Sequence, residues 1–431
     1  MRVSLTTLGC KLNFVEAEEF GEILARNGWQ VVPFGKPADV TVVHTCTVTG
    51  RSDFKSRHLI SRARKASPNG QVVVTGCYAE LDAAALRALP GVARVMPRSE
   101  LRTLPTVLAE LVSSEGAVPP AAQPWMVRRA TRLSRAFLKV QTGCDQHCTF
   151  CRVWQARGPA ASVPLNTVLE QAMVFIDQGF QELVLTGVDM GSWGSDLGLG
   201  RGFASLLERL VVLPGHFRVR LSSIYPVDID DRLFDLVTAH PKVCRHLHLP
   251  IQSASPVVLR HMGRHAEPAG LLDLIWRLRR AAGRFGIGAD LIAGFPGETK
   301  DDFAATCRFV EESALTYLHV FPFSPRPGTA AAGFADQSTP EVIKERSRAL
   351  RQLGMARRAA YRASHPGGHV EVLIERRRDR VTGLLTGFTT DYVRVFTEGP
   401  DEWGGRLILV ELPPGLVSPG DIETLEDPGG I

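Results

Sequence analysis

Between residues 137 and 321, strand-like segments alternate with helical stretches, and this alternation constrains the fold more than any other feature. The strand-like segments are 137–141, 182–185, 218–221, 246–249, 289–292 and 317–321. The helical stretches between them, such as 168–178 and 271–285, are long enough to return the chain for a parallel neighbour. The pattern predicts an α/β fold with a partial (βα)6 TIM-like barrel, whose functional groups gather at the carboxyl ends of its strands.

Two further regions flank this predicted barrel, which we assign to residues 133–363. Residues 1–113 also alternate, with strands predicted at 3–8, 40–44 and 71–74, and indicate a smaller parallel α/β domain. Residues 114–132 are rich in Pro, Ala and Ser and are predicted to be a linker. Residues 364–431 contain short strand-like segments separated by turn residues, which predict a small β-barrel.

Three cysteines follow the first predicted barrel strand in a C-x3-C-x2-C pattern: Cys144, Cys148 and Cys151. Three thiolates on one loop can hold three irons of a 4Fe-4S cluster, and the fourth iron is then open to another ligand. A zinc site with three cysteines and one histidine is the alternative, because His147 lies inside the same loop.

A second set of cysteines is spread along the N-terminal domain. Cys10, Cys46 and Cys77 each fall where a predicted parallel strand ends. Parallel strands place their carboxyl ends on one edge of a sheet, so we expect the three thiols to converge and to hold a second cluster. Cys244 and Cys307 lack such a position, and we interpret them as small buried apolar residues.

The loop GCDQHCTFC resembles the cluster-binding loop of radical S-adenosylmethionine (SAM) enzymes. Together with TLGCKLN, HTCTVT, TGCYAE, IAGFPGET and FPFSPRPGT, it makes almost the whole chain similar to the radical SAM methylthiotransferases. The resemblance implies two 4Fe-4S clusters and SAM as cofactors, and a C-terminal module like the TRAM barrels of RNA-modifying enzymes. By resemblance, six residues contribute to the SAM site: Phe150 beside the adenine, Thr186 and Gly187 at the methionyl amine, and Ser222, Gln252 and Asp290 in later turns.

The family inserts a methylthio group into an unactivated C–H bond, so the resemblance implies no catalytic residue beyond the six cluster cysteines. The segments around Cys10 and Cys46 look most like enzymes that act on N6-threonylcarbamoyladenosine at position 37, next to the tRNA anticodon. The alternatives are the same chemistry on N6-isopentenyladenosine of tRNA or on an aspartate of a ribosomal protein. A more distant alternative is a zinc-dependent RNA-binding protein without catalysis.

Charge along the chain predicts where a polyanion would bind. The chain carries a formal net charge of +5, yet residues 364–431 carry about −6. A basic helix predicted at 51–65 is a candidate contact for the phosphates of the tRNA anticodon loop, although a solvated helix face is an alternative. In the terminal module, the ERRRDR segment or the aromatic residues Phe388 and Tyr392 would contact RNA, unless these aromatics fill the module's own core.

Further partners and the compartment follow from the implied chemistry and from composition. The reaction requires an electron donor protein and a sulfur source. No run of residues approaches the ~18 apolar residues that a membrane-spanning helix needs, so we predict no membrane partner. Eight cysteines in a chain without an apparent signal peptide fit a reducing compartment, and the predicted location is the cytoplasm.

Overall fold

The computed structural model describes residues 1–112, 127 and 133–415. The predicted linker at 114–132 therefore lies outside the described residues, with the exception of Val127, and so do residues 416–431. Within the described ranges, no helix combines the length and the apolar character that crossing a membrane requires.

The first unit is a five-stranded parallel sheet with helices on both faces. Its strands are β1 (Arg2–Thr7), β2 (Gln30–Val32), β3 (Val40–Thr45), β4 (Gln71–Gly76) and β5 (Val92–Val95), in the order β2-β1-β3-β4-β5. Its helices are α1 (Lys11–Arg26), α2 (Gly50–Ala66), α3 (Cys77–Leu81), α4 (Ala83–Arg87) and α5 (Leu104–Val112). All six residues of β3 are buried, as expected for a central strand that is covered on both faces.

The second unit is the predicted partial barrel. Its strands are β6 (Ala136–Lys139), β7 (Gln141–Thr142), β8 (Ala161–Ser162), β9 (Glu182–Thr186), β10 (Arg218–Leu221), β11 (His246–Gln252), β12 (Gly286–Ala293) and β13 (Tyr317–Pro322). Apart from the short β7–β8 hairpin, they lie side by side in chain order and run parallel. The bridges Val219–Val243 and Ser223–His248 join the three strands around β9 to the three around β12.

The barrel helices cover the outer face of these strands. They are α6 (Val153–Arg157), α7 (Leu165–Asp177), α8 (Phe203–Val211), α9 (Asp231–Ala239), α10 (Pro256–His261), α11 (Pro268–Ala282), α12 (Lys300–Glu312) and α13 (Pro340–Ala363). One apolar core runs between helices and strands, with Leu207, Leu247 and Ile275 fully buried. The predicted partial (βα)6 barrel is confirmed.

The third unit is a curled antiparallel sheet, as predicted for a small barrel. Its strands are β14 (Gly368–Ile374), β15 (Leu385–Thr389), β16 (Arg394–Thr397) and β17 (Leu407–Leu412), in the order β16-β15-β14-β17. Val372, Ile374 and Leu385 form the centre of its small core.

The turn between β15 and β16 closes the amino-terminal end of the barrel. Arg218 donates a hydrogen bond to the carbonyl of Phe388 (2.8 Å), and Arg220 donates to that of Thr389 (2.9 Å). The Tyr392 ring lies 4.8 Å from the Phe388 ring and 4.5 Å from that of His246. Both predictions for these aromatics are therefore wrong: they lie against barrel side chains, and they are neither an RNA-stacking surface nor part of the module's own core.

Candidate functional site

The three N-terminal cysteines meet at the carboxyl edge of the first sheet. Cys10 precedes α1, Cys46 follows β3, and Cys77 is the first residue of α3. Burial, together with the charges of Cys10 and Cys77, raises the pKa of Cys46 to about 12. Cys46 and Cys77 are buried, whereas Cys10 is exposed. Neighbouring thiolates repel one another, so this arrangement favours the thiolate form only when a cation or metal cluster compensates the charge.

Two glycines make the close approach of these cysteines possible. A Cβ atom on Gly9 would lie 2.7 Å from Cys46 Cβ, and one on Gly76 would lie 2.3 Å from the carbonyl oxygen of Thr45. Both glycines also have positive φ, at 115° and 97°, which other residues rarely adopt. The backbone next to Cys10 and Cys77 is thus shaped to gather the three thiols.

The barrel cysteines lie on the loop between β7 and α6. The amide of Gln146 points to Cys144 Sγ at 3.5 Å, and that of Val153 points to Cys151 Sγ at 3.3 Å. Such amide contacts orient sulfur ligands and stabilise their negative charge. The loop is also attached to the barrel, because the amide of Thr149 donates to the carbonyl of Met262 at 3.1 Å.

The spacing of the cysteine sulfurs bears on the zinc alternative. Among the described residues, no three cysteine sulfurs lie within 4.8 Å of one another. A tetrahedral zinc ion with bonds of about 2.3 Å needs sulfurs about 3.8 Å apart. His147, the fourth ligand in the zinc alternative, packs edge-on against Trp154 at 4.5 Å. Without a bound group, the sulfurs of each triad are therefore farther apart than around a bound zinc ion.

The predicted SAM residues near the loop lie in packed positions. Phe150 packs edge-on against Phe295, with ring centres 6.4 Å apart. The Thr186 hydroxyl donates to the Val184 carbonyl (3.2 Å), so it is occupied within its own strand. Gly187 starts the turn after β9, where a Cβ would lie 2.8 Å from Met190 Cγ. Thr186 and Gly187 therefore shape this turn mainly through the backbone, whereas Phe150 packs through its ring.

The remaining predicted SAM residues are distributed along the barrel. Ser222 follows β10, and its hydroxyl lies 3.6 Å from Met190 Sδ. Gln252 ends β11 with a φ of 72°, a strained conformation that is typical of functional sites. Asp290 lies inside β12, where its Oδ1 accepts from His248 Nε2 at 2.8 Å. Burial opposes ionisation of Asp290, but His248 and His319 hold the pKa of this carboxylate well below its usual value.

Two side chains at this site escaped the sequence analysis. Asp189 is 3% exposed, and its Oδ1 has no hydrogen-bond partner among the described residues. Burial raises the pKa of this carboxylate, so a cationic ligand would stabilise it. Arg264 lies beside Cys148 and stacks on Tyr225 at 4.6 Å. Asp189 belongs to the strand-end turn TGVDMG, and this position could have indicated its place at the site. No sequence pattern marks Arg264.

Gln141 joins the cysteine loop to the turn that contains Asp189. Its Oε1 accepts from the amides of Val188 and Asp189, both at 2.9 Å. Its Nε2 donates to the carbonyls of Thr142 (2.8 Å) and Gly143 (2.9 Å), just before Cys144. One buried amide therefore fixes the distance between the loop and the turn.

Arginines of the barrel loop connect the two cysteine triads. Arg157, at the end of α6, donates to Glu16 Oε1 (3.0 Å) and to Asn13 Oδ1 (2.6 Å). Arg152, the residue after Cys151, donates to Asp82 at 2.9 Å and contacts Thr47 at 3.4 Å. Residues near the barrel cysteines thus bind residues near the N-terminal cysteines. These contacts fix the two sites relative to one another.

Comparisons with known proteins agree with this arrangement. Residues 2–96 match the Uncharacterized protein family UPF0004, and residues 138–310 match the Radical SAM superfamily. The threonylcarbamoyladenosine tRNA methylthiotransferase MtaB of Bacillus subtilis (strain 168) is 33% identical over 95% of this chain and 93% of its own length. The tRNA-2-methylthio-N(6)-dimethylallyladenosine synthase of Parafrankia sp. (strain EAN1pec) is 33% identical over 96% of this chain and 85% of its own.

A solved structure shares the fold at low identity. It is the radical S-adenosylmethionine methyltransferase TsrM from Kitasatospora setae, which aligns with a TM-score of 0.55 at 16% identity. The alignment covers 75% of this chain and 74% of that one.

Proposed function

Because this chain belongs to the radical SAM tRNA methylthiotransferases, we propose that it converts N6-threonylcarbamoyladenosine at position 37 of tRNA to its 2-methylthio derivative. The relative from Bacillus subtilis is named for this nucleoside, and similarity extends over nearly the whole of both chains. The observation that carries the proposal is the pair of cysteine triads, held together by Arg157 and Arg152. Because the chain belongs to this family, its cofactors are an iron–sulfur cluster and SAM.

We propose that Cys144, Cys148 and Cys151 hold one 4Fe-4S cluster and that Cys10, Cys46 and Cys77 hold a second. When bound, the barrel cluster and SAM supply radical chemistry on a C–H bond, and the second cluster supplies the sulfur. The protein's part is to bind and orient. Asp189 Oδ2 accepts from Gln146 at 3.4 Å, but Oδ1 has no partner among the described residues and can accept from the ammonium group of SAM. Gln141 holds the turn of this carboxylate beside the cysteine loop.

Helix α2 offers a surface for the tRNA backbone next to Cys46. Arg51, Lys55, Arg64 and Lys65 lie on its exposed face, and Phe54 is 64% exposed. Asp53, the helix's acidic residue, is paired with Arg326. The uncompensated positive charge supports phosphate contacts close to the proposed second cluster.

The terminal module offers fewer free cations than its sequence suggests. In the ERRRDR segment, Arg378 is paired with Asp401 (2.7 Å), and Arg376 lies over the Phe180 ring of the barrel. Arg377 and Arg380 are exposed and are our remaining candidates for RNA contact in this segment. We therefore propose that α2 contributes more than the terminal module to holding the anticodon loop.

Charge reversal on α2 tests this surface. We expect the double variant R51E/K55E to bind tRNA at least ~10-fold more weakly, because two phosphate contacts are lost. The slope of log affinity against log salt concentration should become smaller by about two. Titration of labelled tRNA at several salt concentrations measures both quantities. The matched control is R277E/R280E on α11, where both side chains are about half exposed or more. Equal losses in the two variants would contradict an RNA surface on α2.

Three parts of the proposal concern the cell. The reaction needs an electron donor protein and a sulfur source as partners. Its proposed compartment is the cytoplasm, and the eight free thiols of the chain support this.

Nucleoside analysis tests the proposed substrate. In a strain that lacks this gene and has no second enzyme of this activity, tRNA should contain N6-threonylcarbamoyladenosine without its 2-methylthio form. The proposal would be contradicted if 2-methylthio-N6-threonylcarbamoyladenosine persisted in this strain while the 2-methylthio form of the dimethylallyl or isopentenyl nucleoside was lost.

A further inference from the structure

The inner face of the barrel carries polar side chains that line an open space. His248 Nε2 and His319 Nδ1 lie 2.8 and 3.4 Å from Asp290 Oδ1. Asp290 is on a strand with neighbours on both sides, yet its side chain is 20% exposed, and that of His319 is 32% exposed. Solvent therefore reaches the inner face at this level of the barrel.

Most charged groups around this space are already paired. Glu182 accepts from Arg218 at 2.7 Å and from Arg220 at 2.9 Å. Arg135 pairs with Glu375, and Asp290 is engaged by the two histidines. The three arginines are matched by three carboxylates, so a further cation gives this group of side chains a net positive charge. A further cation in this space would therefore favour the binding of an anion.

Lys11 is the exception among these charged groups. It directly follows Cys10 as the first residue of α1, burial lowers the pKa of its ammonium group, and Arg135, Arg220 and Asp290 lie near enough to act on its charge. Its ammonium group makes no hydrogen bond and no ion pair with any residue that the structure describes. A partly buried ammonium group without a protein acceptor would be stabilised by an anionic ligand.

We propose that Lys11 binds the carboxylate of the threonyl group of the substrate and selects this nucleoside over uncharged ones. The inference rests on the proposed function. A threonylcarbamoyl group ends in a carboxylate, whereas the dimethylallyl group named for the Parafrankia relative is a hydrocarbon. The position next to Cys10 suits this role, because the substituent and the carbon that receives sulfur belong to the same adenine.

Binding of three anticodon stem-loop RNAs to the cluster-containing protein tests the proposal. The RNAs carry N6-threonylcarbamoyladenosine, adenosine or N6-dimethylallyladenosine at position 37. We expect wild type to prefer the threonylcarbamoyl RNA over the adenosine RNA by ~10-fold or more, as for one charge-assisted hydrogen bond. K11M should bind the two RNAs within about 2-fold of each other, whereas K11R should retain the preference.

The ratio of the two affinities is the decisive quantity, because it is insensitive to a general loss of folded protein. K36M, at an exposed lysine of the first unit, is the control and should keep the wild-type ratio. The role of Lys11 would be overturned if K11M kept the wild-type ratio of the two affinities, whatever its absolute affinity. It would also be overturned if the wild-type protein showed no preference between the two RNAs. The proposed function fails separately, if wild type methylthiolates only the dimethylallyl RNA.

Discussion

Replacing Cys10, Cys46 and Cys77 together with alanine is expected to abolish methylthio transfer and to leave SAM cleavage intact. The three thiols belong to the first unit, whereas the barrel loop is held by barrel residues through Thr149–Met262 and Cys144–Gly158 backbone bonds. The barrel site should therefore assemble without them. Product should fall by at least ~1,000-fold, since no other group near the site provides a sulfur source.

Two measurements on the same sample check this result. Iron should drop from about eight to about four per chain, and mass spectrometry should still detect 5′-deoxyadenosine. The matched control replaces Cys244 and Cys307, which lie away from both triads, and should keep about eight irons. Loss of 5′-deoxyadenosine in a triple variant that still holds about four irons would contradict the separate roles of the two sites.

Replacing Arg157 with methionine is expected to cause the largest loss of stability of any single change at this site. Arg157 is fully buried and binds Glu16, whose side chain is 5% exposed. Burial opposes ionisation of Glu16, but Arg157 and Arg98 hold the pKa of this carboxylate far below its usual value. Without Arg157, the buried carboxylate keeps Arg98 at 2.9 Å and the His44 ring at 3.4 Å, and we expect a loss of about 3 kcal/mol.

Denaturant unfolding of the apoprotein measures this loss without involving the clusters. R157K should fall between wild type and R157M, because lysine keeps the charge but cannot bind both carboxylate oxygens of Glu16 through two nitrogens as Arg157 does. R232M is the matched control: Arg232 pairs with Glu208 on the surface, with both side chains more than 40% exposed, so its loss should cost less than ~1 kcal/mol. Equal stability of R157M and R232M would show that Arg157 does not hold the two units together.

The interior strands were predictable because burial on both faces imposes an uninterrupted apolar run. Residues 71–74 contain the run VVV and residues 182–185 the run LVL. The strands predicted there agree with the observed β4 and β9 within two residues. The edge strands β2 and β5 were missed, since they are short and mostly exposed and carry no such run. The β7–β8 hairpin, with two residues per strand, has no pattern that a sequence could display.

The cysteines were predictable for a related reason. Residues at the carboxyl end of a parallel strand directly follow a recognisable apolar run, so their position can be read from the sequence. Contacts between distant segments have no such signature. Arg157 and Glu16 are 141 residues apart. That Asp189 Oδ1 and the Lys11 ammonium group have no hydrogen-bond partner among the described residues is visible only in three dimensions. The same limit explains the error at Tyr392, whose positive φ of 64° turns the chain toward the barrel.

The most direct test of the proposed function is a single-turnover reaction with the reconstituted chain, SAM, dithionite and an anticodon stem-loop that contains N6-threonylcarbamoyladenosine. Protein with about eight irons should yield the 2-methylthio nucleoside together with 5′-deoxyadenosine and S-adenosylhomocysteine in roughly equal amounts, since one SAM initiates the reaction and another methylates the sulfur. Formation of 5′-deoxyadenosine without any methylthio nucleoside, from protein that holds both clusters and binds the RNA, would contradict it.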